Sequence, residues 1–137
     1  MEKPDQEKYH ELAYYTLALQ DASFIHQHVV DAYAVQNADE TTKPIAIVFG
    51  LVGLYLYLEK DYTGRQVQQA HMQMAKKRKN WQSIELPVER GKITISDVLT
   101  IPPGKDRDAK IKEWCESVWA ACNDSRKAVI ALVNELL

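Results

Sequence analysis

Few cysteines, no long apolar run and no surplus of positive charge mark this 137-residue chain, and each shortage excludes something. Its two cysteines, Cys115 and Cys122, sit seven apart in a helical pattern. On one helix that spacing is about 10 Å, too far for a disulfide. No Cys-x-x-Cys and no His-Glu-x-x-His occurs, so the strongly spaced metal signatures are missing. There is no phosphate-binding glycine loop, no Gly-x-Ser-x-Gly elbow and no dinucleotide fingerprint. A net charge of −2 argues against nucleic acid and anionic membrane as partners. The longest apolar stretch, Pro44–Leu58, is about fifteen residues, short of the roughly twenty that span a bilayer. The opening Met1-Glu2-Lys3-Pro4-Asp5 is polar, and with reduced thiols it implies a cytoplasmic protein.

What is present is mostly helical periodicity over one domain spanning residues 1–137, with no internal repeat. A first helix is expected over Asp5–Gln20. Asp21 is the expected N-cap of a second, which ends near Asn37 before the polar loop Asn37–Lys43. Thr42 is placed to cap a third helix, Pro44 to Lys60, with proline in its first turn. That helix is apolar almost all round and should be central. Gly50 and Gly53 inside it suggest close approach of another backbone or a ligand, with tight helix packing the favoured cause. A fourth helix follows Gly64, with Val67, Ala70, Met74 and Trp81 on one face, and ends in Lys76-Lys77-Arg78-Lys79.

The period then changes. Ile84, Leu86 and Val88 alternate, as do Ile93 and Ile95, so Ser83–Ile95 reads as a small β-hairpin turning at Arg90-Gly91. Ser96 would cap a short turn before Pro102-Pro103-Gly104. A last helix, from near Asp106 to the chain end, is continuous or bends at Asn123-Asp124. The expected fold class is therefore mainly α: a multi-helix bundle with a small β-hairpin between the fourth and last helices.

Chemistry is suggested by polar side chains on apolar helical faces. On helix two, His28 and Gln36 fall within the stripe of Phe24, Ile25, Val29, Ala32 and Val35, and Asp31 lies at its edge. His26 is about 200° from His28 and cannot share a metal with it on a helix. His28 and Asp31 are neighbours at i and i+3. His71 lies beside the stripe of helix four. If helices two and four pack together, His28, Asp31 and His71 make a candidate first shell for a divalent metal, zinc or iron, or an acid–base pair. His28, Asp31 and Gln36 are the matching candidates for a small-molecule site. For each alone, a satisfied core residue is the blander reading. The run Lys76–Lys79 sits at a helix C-terminus, where the macrodipole favours positive charge anyway. Trp81, Trp114, Trp119 and a long terminal helix support a different class of function, a non-catalytic homodimeric interaction module.

Three stretches also carry a resemblance: His28 with Val30-Asp31-Ala32-Tyr33 and Gln36; Gly50-Leu51 to Leu58-Glu59; and Trp114 with Val118-Trp119. Together they resemble an uncharacterised bacterial family of small helical proteins, a domain of unknown function, over about His10 to Val129. The resemblance implies the helical fold and a bacterial cytoplasmic origin, and it assigns no reaction. Some members carry a cysteine pair before the first helix and a histidine just after the glutamine. Here no cysteine precedes that helix, and the second position is Asn37.

Overall fold

The computed structural model describes residues 4–137, and among them every regular element is a helix. The order is α1 (Pro4–Leu19), α2 (His26–Gln36), α3 (Pro44–Lys60), α4 (Gly64–Lys77), α5 (Ile95–Leu99), α6 (Lys105–Ala121) and α7 (Arg126–Leu136). A single 3₁₀ turn, Asn123–Ser125, separates the last two, so the bend at Asn123-Asp124 is real. Residues 1–3 of the polar opening lie outside the described residues.

The reason α3 is apolar all round is that α2, α4, α6 and α7 all pack against it. Val48, Leu51, Val52, Leu54 and Leu56 are buried within that cage. Pro44 starts the helix and Asp61, at φ 59°, ends it in the left-handed conformation. No helix among the described residues is long and apolar enough to cross a membrane.

Two expected caps act elsewhere. Thr42 does not cap α3; its Oγ1 accepts the Asp39 N–H at 3.0 Å and closes the preceding loop. The Asp21 carboxylate accepts the Ile25 N–H (3.0 Å) and the Ser23 hydroxyl (2.8 Å), so it shapes the turn before α2 rather than the helix end itself. The clean capping box belongs to α4: Thr63 Oγ1 accepts the Gln66 N–H and the Gln66 side chain accepts that of Thr63.

The expected β-hairpin over Ser83–Ile95 is absent. Between α4 and α5 the chain has no regular structure, and several of its backbone groups bond to side chains of the helices. Ser117 Oγ on α6 accepts the N–H groups of Lys92 (3.1 Å) and Ile93 (3.4 Å). Gln36 Nε2 on α2 donates to the Ile93 carbonyl (2.8 Å) and to that of Arg90 (3.3 Å). The Arg90 guanidinium in turn donates to the carbonyls of Pro87 and Ala38, at 2.7 and 2.5 Å. With side-chain partners already in place and Pro87 lacking an N–H, a strand ladder has little left to bond. Of the alternating residues, Ile84, Leu86, Ile93 and Ile95 pack onto the helical core, whereas Val88 is fully exposed. The short helix that follows is capped by Thr94 and Asp97, not Ser96.

The core is organised around the α2–α3 contact. His28 stacks on Tyr57, Asp31 lies against Gly53 and Val35 lies against Gly50, so the register runs antiparallel. A Cβ at Gly53 would sit 1.9 Å from Asp31 Oδ2; one at Gly50 would sit 2.8 Å from Val35 Cγ2 and 3.1 Å from the Asp31 carbonyl. Both glycines are thus sites of close helix packing, and Gly53 is the seat of a carboxyl group. Gly53→Ala should destabilise the fold by about 1–3 kcal/mol through overpacking. Combining it with Asp31→Ala should recover most of that loss, because the blocking atom is gone. Urea unfolding of the two single variants and the double variant checks this, and additive losses would contradict it.

Candidate functional site

Asp31 and His28 occupy the buried face of α2, each only 3 % exposed. Asp31 Oδ1 accepts a hydrogen bond from Gln27 Nε2 at 3.1 Å, while Oδ2, the atom against Gly53, has no partner. His28 Nδ1 is also buried without a partner. Among the described residues these are the two buried side-chain polar atoms so left. The imidazole lies flat on the Tyr57 ring, with centroids 3.5 Å apart and planes within 8°. Beneath it the Cys115 thiol, fully buried on α6, donates to the His28 carbonyl at 3.7 Å.

Burial sets the electrostatics of the group. It pushes the Asp31 carboxyl well above the usual 3.8, opposed only by the Gln27 hydrogen bond. It pushes His28 down from 6.5 to about 4, opposed by the charge of Asp21. The Cys115 thiol is raised by burial and then by the nearby charges of Asp31 and Glu116. Tyr57 is raised by burial, then by Cys115, Glu116 and Asp61. Tyr9, stacked on Tyr33 at 4.2 Å, is raised by burial, Tyr33 and Asp31. Asp31, His28, Cys115, Tyr57 and Tyr9 are therefore each driven towards the neutral form.

The other expected site residues have structural employment. Gln36 is spent as a connector: its Oε1 accepts from Trp114 Nε1 at 2.8 Å while its amide nitrogen holds the extended segment. Helices α2 and α4 do pack together, yet His71 turns to α3, its Nε2 at 2.8 Å from the Phe49 carbonyl and its ring stacked on Phe49. Burial lowers its pKa to about 4 as well. No group of three or more His, Cys, Asp or Glu side chains among the described residues is placed to hold a metal ion, so His28, Asp31 and His71 do not form a first shell here. Sequence reading missed Tyr57 and Cys115 as neighbours of His28. Gly53, four residues before Tyr57 on the same face of α3, was the available signal.

Trp114 is fully buried and Trp119 is 8 % exposed, with its Nε1 bonded to Glu59 at 2.7 Å. Of the three tryptophans behind the expectation of a homodimer, these two are covered within the chain and Trp81 is half-buried.

The chain belongs to the family described as Family of unknown function (DUF5946), whose model matches residues 6–123. That span holds α1 to α6 and both His28 and Asp31. No curated protein and no solved structure matches the chain.

The seam should leave a mark on stability against pH. For His28 and His71 the folded pKa, about 4, lies below the unfolded 6.5, so the unfolded chain binds protons that the folded one refuses. Their contribution is lost as pH falls from 6.5 towards 4. Asp31 has the opposite sign: its folded pKa lies above 3.8, so its contribution is present below 3.8 and is lost as pH rises. Asp31→Asn removes the second effect and keeps the first. Urea titrations at pH 4 to 7 should show wild-type stability, relative to that variant, falling as pH rises. Parallel profiles, or a relative gain, would contradict the burial argument.

Proposed function

We propose that the protein is a binding protein whose site is the buried pair His28 and Asp31, and whose ligand is a small uncharged polar molecule. The observation that carries this reading is the pair of unpartnered atoms, His28 Nδ1 and Asp31 Oδ2, one helical turn apart on α2. An unsatisfied buried polar group costs about 1–3 kcal/mol, and an apolar pair of similar shape would avoid that cost. A ligand that gives each atom a partner recovers it.

The chemistry of the site narrows the ligand. Burial disfavours charge on both side chains, so an uncharged molecule with a donor and an acceptor fits better than an anion or an organic cation. Neither residue lines any of the four principal surface clefts, which limits the ligand to a few heavy atoms that enter by local opening of α2 from α3. A divalent zinc or iron ion is a second ligand class. It would displace the Asp31 proton and take the neutral His28 nitrogen, but it would need donors beyond these two residues. Support for catalysis is lacking at this seam, because Cys115 and Tyr57 are both driven away from their reactive anionic forms.

Thermal unfolding of wild type, Asp31→Asn and His28→Ala, each against small amides, imidazole, zinc and iron(II), separates the possibilities. At least one uncharged solute is expected to raise the wild-type Tm and to leave both variants unmoved. Stabilisation by a metal alone, lost in both variants, would make the site a metal centre. A panel that leaves wild type unmoved, or shifts all three proteins alike, contradicts the assignment.

A further inference from the structure

A cleft of about 960 Å³ lies elsewhere, at the end of α4 beside α7. One wall is a continuous stretch of chain from Lys77 to Ile84; the other is Ala128 and Leu132 of α7. Three consecutive cations, Lys77, Arg78 and Lys79, line it together with Trp81, and no carboxylate does. In a chain of net charge −2 this is a local concentration of positive charge.

The cations are not equally committed. Arg78 pairs with Glu135 and lies over the Trp81 ring at 5.4 Å. Lys77 Nζ donates to the Leu136 carbonyl at 2.8 Å, tying the end of α4 to the end of α7 and so holding the two walls together. Lys79 Nζ makes a long 3.4 Å contact with the Ala75 carbonyl. Both lysines therefore meet main-chain carbonyls, and no ion pair of either with a side-chain carboxylate is seen among the described residues. Trp81 is half-buried and held in place, with the edge of its ring system against Phe49 at 5.1 Å and 87°. It offers an aromatic surface beside positive charge.

We propose that this cleft binds a flat aromatic anion, its carboxylate or phosphate at Lys77 and Lys79 and its apolar body on Trp81, Ala128 and Leu132. The volume is in the range of ordinary ligand sites, roughly 300–1,000 Å³. An inorganic anion would leave the apolar wall unused, and a neutral aromatic would leave the lysines unused. The sequence shows the lysine run only as charge at a helix end; the fold adds the aromatic and the facing wall of α7. This site does not depend on His28 or Asp31.

Calorimetric titration of the intact protein at low salt tests the proposal. The probes are 2-naphthoate, adenosine monophosphate, the neutral 2-naphthalenemethanol, inorganic phosphate and a ten-nucleotide RNA. One of the two aromatic anions should saturate a single site, and which one does so separates a carboxylate ligand from a nucleotide. The neutral analogue should bind roughly tenfold more weakly. Lys79→Gln, an exposed position, should weaken the anion roughly three- to fivefold. Trp81→Leu should weaken it roughly tenfold. Lys112→Gln on the exposed side of α6 should change nothing. The proposal is overturned if neither aromatic anion saturates. It is also overturned if the neutral analogue or phosphate binds as well, if Lys112→Gln matches Lys79→Gln, or if only the RNA binds.

Discussion

The contact between Asp31 and Gly53 is where the helical core is decided. A carboxyl group lies where any other residue would place a β-carbon, so α2 and α3 approach closely along the face that also stacks His28 on Tyr57 and packs Val35 against Gly50. From that seam the remaining helices follow. The other faces of α3 are apolar and receive α4, α6 and α7; α2 receives α1, α4 and α6. Close packing here encloses two polar side chains, and the cost of enclosing them is what marks the seam as something other than an ordinary core.

The same accounting explains the part of the chain that looks like strand and is not. Gln36 on α2 and Ser117 on α6 bond backbone groups of the segment between α4 and α5, and Arg90 within that segment donates outward to the Ala38 carbonyl. This leaves α5 and α6 correctly placed over α1 and α2 without a sheet. Gln36 does this at one end of α2 and holds Trp114 as well, while Asp31 and His28, towards the other end, each keep one polar atom without a partner.

Legibility in the sequence followed the strength of the local signal. The bounds of α3 could be read directly, because proline at its start and a charged end frame a continuous apolar run. The bend near Asn123 was visible as an option and proved to be a 3₁₀ turn. Period-2 alternation at Ser83–Ile95 misled: Ile84 and Leu86 face the core but Val88 is fully exposed, and the pattern says nothing of what the backbone bonds to. The pair His28 and Asp31 was legible as polar groups on an apolar face. Gln36 and His71 gave the same signal, and only the tertiary partners Trp114, Ile93 and Phe49 distinguish them. The cleft beside α7 was not legible at all, since its two walls are far apart in the chain.

Among the described residues Asp31 sits in the core with one hydrogen bond, from Gln27, and no ion-pair partner. The most direct measurement is the titration of its side-chain carboxyl carbon by NMR, with Asp31→Asn identifying the resonance. A midpoint well above 3.8 is expected, because burial outweighs the single hydrogen bond from Gln27. A midpoint at or below 3.8 would mean that the carboxylate is solvated or ion-paired, and the α2–α3 seam would then not be the closed, polar-bearing contact described here.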